Sequence, residues 1–131
     1  MEICKFMKKM LIVEDDQFIG SMYSKLFDAN GFSSKFSLNG IDALGILSKD
    51  ENIPEVIILD ANLPDMNGLE LLRKIKQNDK LNKVPVVVLT NSYHIEDAKM
   101  FTDLGADMFL IKIENTNKEL VEKINKLLEK H

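Results

Sequence analysis

Apolar residues come along this chain in short blocks, each stopped by a polar residue, with stretches of helical periodicity between them. Met10-Leu11-Ile12-Val13 is the first block and ends against Glu14-Asp15-Asp16. Phe18, Ile19, Met22, Tyr23, Leu26 and Phe27 then recur at helical spacing until Gly31 stops the pattern. Phe32 to Leu38 alternates apolar and polar as an edge strand does, and Asn39 caps a short helix carrying Ile41, Leu44 and Leu47. Val56-Ile57-Ile58-Leu59 has no polar break and runs straight into Asp60. Such a run reads as a strand buried on both faces, so Asp60 falls at its C-terminal edge, where water begins. After a loop containing Pro64, Asn67 and Glu70 form a capping-box pattern for a helix whose stripe is Leu69, Leu72 and Ile75. Pro85 to Leu89 runs into Thr90, a helix over about 95–104 ends at Gly105, and Met108 to Ile111 runs into Lys112. Thr116 and Glu119 make a second capping box, opening a last helix that buries Leu120, Val121, Ile124 and Leu127 and exposes Lys and Glu.

Strand and helix thus alternate five times. Fully apolar strands joined by helices are parallel, and right-handed crossovers place helices on both faces. The expected architecture is a doubly wound α/β sandwich whose functional crevice lies beyond the C-terminal strand ends. Its 131 residues suffice for one domain with a core of its own, read as a domain over residues 9–131 after an N-terminal extension over 1–8. A net charge of −4 disfavours a nucleic-acid-binding face. The single cysteine, Cys4, excludes an internal disulfide, which suits a reducing cytoplasm. No stretch reads as a targeting or membrane-spanning segment.

Four apolar strands end in polar residues: Glu14-Asp15, Asp60, Thr90 and Lys112. A parallel sheet brings these ends to one edge, so carboxylates, a hydroxyl and an ammonium are expected in one crevice. Clustered carboxylates repel, and either take up protons or bind a cation. An oxygen-only donor set suits a hard ion, and a small site with few carboxylates suits Mg2+ better than Ca2+. A lysine and a hydroxyl beside it would complement a phosphoryl group. The residues point to metal-dependent phosphoryl transfer onto or off a carboxylate.

With these pieces in order, the chain resembles a response-regulator receiver domain of two-component signalling, of the stand-alone chemotaxis-regulator kind. The resemblance runs from about Lys9 to Leu128 and is carried by LIVED (Leu11 to Asp15), ILDANLPDMNG (Ile58 to Gly68), VVLT (Val87 to Thr90), GAD (Gly105 to Asp107) and FLIK (Phe109 to Lys112). It implies a flavodoxin-like five-stranded parallel sheet in the order 2-1-3-4-5. It implies that Asp60 accepts a phosphoryl group from a sensor histidine kinase or phosphotransfer protein. Asp15, Asp60 and the backbone carbonyl of Asn62 would ligate Mg2+, with Glu14 holding the ion through water. Lys112 would pair with one phosphoryl oxygen, and Thr90 would move to another, drawing Phe109 inward. Output would be a changed affinity for a downstream protein, through the face of the fourth helix, fifth strand and last helix. The resemblance further implies a monomer or a weak phosphorylation-dependent dimer, and no catalysis beyond self-phosphorylation and autodephosphorylation.

The chain departs from the family pattern at Glu14, where Asp is as usual, at Phe109 in place of Tyr, and at Asn91 in place of a small residue. Ile113 stands where the family has a proline after a cis bond. A cis bond before Ile costs about 3–4 kcal/mol, so the expected Lys112–Ile113 peptide is trans with a shifted loop, or cis and strained. Asn62 and Ser92 flank the chemistry and are expected to tune the lifetime of the phosphorylated state. His94 reads as an exposed loop residue, not a ligand, and Asp16 as a helix cap. A haloacid-dehalogenase-like phosphatase is disfavoured, because Asn62 holds the position of its general acid and cannot donate a proton. A phosphorelay intermediate and a phosphorylation-independent binding module of the same fold are the remaining alternatives.

Overall fold

Because the apolar runs 10–13, 56–59 and 86–89 have no polar break, both faces of each must be covered, and two helical layers do so. The computed structural model describes residues 7–91 and 95–131. The expectations attached to Cys4 and the extreme N-terminus, to Ser92 and to His94 lie outside the described residues. The chain runs β1 (Lys8–Val13), α1 (Gln17–Asp28), β2 (Phe32–Ser37), α2 (Gly40–Leu47), β3 (Val56–Asp60), α3 (Gly68–Gln77), β4 (Val86–Thr90), α4 (Ile95–Asp103), β5 (Met108–Ile111) and α5 (Asn117–Glu129). The five strands are parallel, in the order β2-β1-β3-β4-β5, as the resemblance implies.

Period-two alternation divides the core. Leu11, Val13, Ile57, Leu59, Val86 and Val88 face a layer built on Ala43, Leu72, Ile75 and Phe101, from α2, α3 and α4. Met10, Ile12, Val56, Ile58, Val87 and Leu89 face the opposite layer, where α1 contributes Tyr23 and Phe27 and α5 contributes Leu120 and Ile124.

The helix starts follow the capping chemistry. Asp16 accepts the N–H groups of Phe18 and Ile19 at 2.9 and 3.1 Å, the cap read from sequence. The Thr116–Glu119 box closes in both directions. At α3 the forward half is present, with Asn67 accepting the Glu70 N–H at 2.8 Å, and no reciprocal bond from Glu70 is found among the described residues.

Four side chains of the expected apolar patterns are exposed: Phe18 81%, Ile41 66%, Leu38 42% and Met22 39%. Phe18, Ile41 and Leu38 sit at or beyond the C-terminal rim of the sheet, where no strand lies beneath to cover them, and Met22 lies in the middle of α1. The fully buried Leu71 takes the place in the α3 stripe that Leu69, half-buried, was expected to fill. The Lys112–Ile113 peptide is trans, and the chain there turns into a short 3-10 segment, Lys112–Glu114, that leaves Ile113 88% exposed.

Candidate functional site: an acidic crevice at the sheet edge

Strand register positions the polar ends. Val13 pairs with Leu59, so Glu14 and Asp60 follow side by side on neighbouring strands. Asp60 pairs with Leu89, and Thr90 with Ile111, which places Lys112 one residue further. Glu14, Asp15 and Asp60 each offer a carboxylate oxygen, and these oxygens lie within 4.8 Å of one another. Asp15 is exposed, whereas Glu14 and Asp60 are buried. The Lys112 ammonium reaches in from β5, donating to Glu14 Oε1 at 2.8 Å and standing 3.8 Å from Asp60 Oδ2. Asp60 Oδ1 accepts the backbone N–H of Asn62 at 3.1 Å.

Burial without full pairing makes this crevice electrostatically tense. Glu14 is pushed up to about 7, first by burial and then by the neighbouring Asp60 carboxyl, which together outweigh the attraction of Lys112. Burial works to lower the Lys112 pKa, but its bond to Glu14 and the nearby Asp60 charge prevail, so Lys112 is raised and stays a cation. The Tyr23 phenol beside the cluster is also raised, chiefly by burial. Glu14 Oε2 is buried with no hydrogen-bond partner among the described residues. An orphaned buried carboxylate oxygen is costly in water-free surroundings, and a hard cation or a water bound to one would satisfy it. The donor set is all oxygen and therefore fits such an ion.

Alternation splits the strand ends into two groups. Glu14, Asp60 and Lys112 share the α1/α5 side with Ile12, Ile58 and Tyr23. Thr90 and Phe109 lie over the other layer, lining a cavity of about 130 Å3 with Ala61, Asn62, Asp97 and Phe101. Thr90 is buried there, and the half-buried Phe109 ring packs 5.4 Å from that of Phe101 at a tilt of 37°. Asn62, on the loop past β3, borders this cavity and touches Asp60 through its N–H, so it connects the two halves.

Sequence reasoning passed over Phe101 and Asp65. Phe101 falls inside the α4 pattern, and nothing in the sequence pairs it with Phe109. Asp65 stands in the loop between Pro64 and Asn67, and its carboxylate accepts the N–H groups of Gly40 and Ile41. Its proximity to Pro64 and Asn67 was the available signal, and it indicates only a turn.

Five parallel strands in this order, with acids and a lysine at the carboxyl ends next to the point of strand reversal, define a doubly wound α/β sandwich with an acidic crevice at its functional edge. The chain belongs to the response regulator receiver domain family of two-component signalling, which it matches over residues 10–125. It is 34% identical over 122 residues to the transcriptional regulatory protein CpxR homolog of Haemophilus influenzae, covering 93% of this chain and 51% of that relative. The chain thus spans about half the length of the CpxR relatives it matches. Among solved structures, the chemotaxis response regulator CheY4 of Vibrio cholerae is similar with a TM-score of 0.84 and 26% identity, covering 92% of this chain and 98% of that one. The Mn2+-bound form of the response regulator Rcp1 is similar with a TM-score of 0.75 and 30% identity, covering 92% and 91%. Among the described residues no helix is long and apolar enough to cross a membrane.

Proposed function

We propose that this chain is a phosphoacceptor switch, taking a phosphoryl group onto Asp60 from a phosphohistidine of a sensor kinase or phosphotransfer protein. The observation that carries this reading is the buried Asp60 carboxylate, held 3.8 Å from a lysine ammonium and within 4.8 Å of two further carboxylates. An Asp60 oxygen attacks phosphorus as the P–N bond to the donor imidazole breaks, and the imidazole nitrogen keeps the electron pair. The product is an acyl phosphate. Lys112 neutralises charge on the phosphoryl oxygens throughout. Asp15, Asp60 and the Asn62 carbonyl would hold Mg2+, with Glu14 at one remove. The ion would supply Lewis-acid neutralisation of the same oxygens. The similar structure of Rcp1 is of a Mn2+-bound form, which is in keeping with a divalent ion here.

A phosphoryl group adds about −1.5 to −2 charge, which biases a two-state element beside it. Here that element is Thr90 with Phe109. The Thr90 hydroxyl turns toward the phosphoryl group and leaves room for Phe109 in the cavity they share. The altered surface of α4, β5 and α5 is what a downstream protein reads.

Incubation with Mg2+ and acetyl phosphate, followed by intact-mass measurement, tests the reading. The wild type gains the mass of one phosphoryl group and D60N gains none. A wild type that takes up no phosphate at any Mg2+ concentration, or a D60N variant labelled equally, overturns it.

A further inference from the structure

The loop between β3 and α3 is tied to a helix that has no part in the phosphoacceptor site. Asp65 Oδ1 accepts the Gly40 N–H at 2.9 Å and Asp65 Oδ2 accepts the Ile41 N–H at 2.8 Å, across 25 and 24 residues of sequence. These N–H groups open α2 and have no partner within the helix. The two elements approach closely: a Cβ on Gly40 would lie 2.5 Å from Met66 Cγ, so a side chain there would displace Met66. Burial works to raise the Asp65 pKa, but the N–H groups of Ile41 and Gly40 hold it below the usual carboxylate range, so the clamp is charged at neutral pH.

α2 has a cap of its own besides Asp65. Asn39 Oδ1 already accepts the Asp42 N–H at 2.7 Å. The other anchors of the loop are an antiparallel bridge between Asn62 and Asn67, the Asn62 N–H on Asp60 Oδ1 at 3.1 Å, and the Gly68 N–H on the Ala61 carbonyl at 2.9 Å. All three lie at its base. Asp65 holds its far end.

We propose that Asp65 is a positioning residue for the cation site, clamping the β3–α3 loop onto the start of α2 so that the Asn62 backbone is held where a divalent ion beside Asp15 and Asp60 can use it. This rests on the phosphoacceptor reading. Partners that orient metal ligands typically govern affinity about 10–100-fold, whereas a helix cap governs only stability.

Calorimetric titration of the full chain with Mg2+ alone tests the proposal on D65A, D65N and N39A. D65A is expected to bind Mg2+ about tenfold more weakly than wild type, with D65N, which keeps one acceptor oxygen, in between. N39A removes a cap from the same helix without freeing the loop, and is expected to bind Mg2+ as wild type does. Phosphoryl uptake by D65A from acetyl phosphate slows at low Mg2+ and recovers at saturating Mg2+. The proposal is overturned if D65A and D65N bind as wild type, or if N39A loses as much affinity as D65A. Should D65A fail to fold, D65N against N39A decides. A wild type that binds no Mg2+ removes this proposal and the phosphoacceptor reading together. Normal binding and uptake in both wild type and D65A removes this one alone.

Discussion

Glu14 is the residue under most tension: buried, with one oxygen bonded to Lys112 and the other without a hydrogen-bond partner among the described residues. Its pKa, 4.5 in an unfolded chain, rises to about 7 here. Between those values the folded chain carries a proton that the unfolded chain has released. The metal-free protein therefore loses stability as pH rises through that window, and the slope vanishes in E14Q; urea titrations at pH 5 and pH 8 check it. Binding a divalent ion must expel the same proton. Mg2+ affinity at pH 6 is expected to be on the order of tenfold weaker than at pH 8, with proton release visible in buffers of different ionisation enthalpy. At this scale much of the site was legible, because an apolar run that stops at a carboxylate or ammonium announces a strand end. Asp65 was not, since its partners Gly40 and Ile41 are distant in sequence and only the fold brings them near.

At the scale of elements, capping chemistry read from sequence located the starts of α1, α3 and α5. These signals are local, made by residues two or three apart. The closed Thr116–Glu119 box predicts that T116A lowers stability by about 1 kcal/mol in urea unfolding. Which side of a helix is buried was read less well. Helical spacing placed Phe18 and Ile41 in apolar stripes, yet both are exposed. Periodicity marks a face but not where the supporting sheet ends, and both residues stand in the first turn of a helix beyond the strand tips.

Across the whole molecule, the sheet is a wall between two cores that share strands but not side chains. Leu72 of α3 belongs to one and Ile124 of α5 to the other, and both are fully buried. L72A is expected to cost about 2–5 kcal/mol and I124V about 0.5–1.5 kcal/mol. Their effects should add within about 0.5 kcal/mol in denaturant unfolding, because they have no common neighbours. A large coupling energy would mean that the sheet passes strain from face to face. The same wall divides the functional site, with the acids and Lys112 on one side and Thr90 and Phe109 on the other.

By itself the sequence determined the alternation of strands and helices, the parallel sheet and the polar residue that ends each strand, because burial and hydrogen bonding write those choices into hydrophobic period and caps. Tertiary structure alone decided how close the ends come, that Lys112 reaches Glu14 and stands beside Asp60, that Phe109 meets Phe101, and that Asp65 reaches α2. Distances between residues far apart in the chain depend on strand register and helix docking, which are set by the packing of the whole core and leave no mark in any short stretch of sequence.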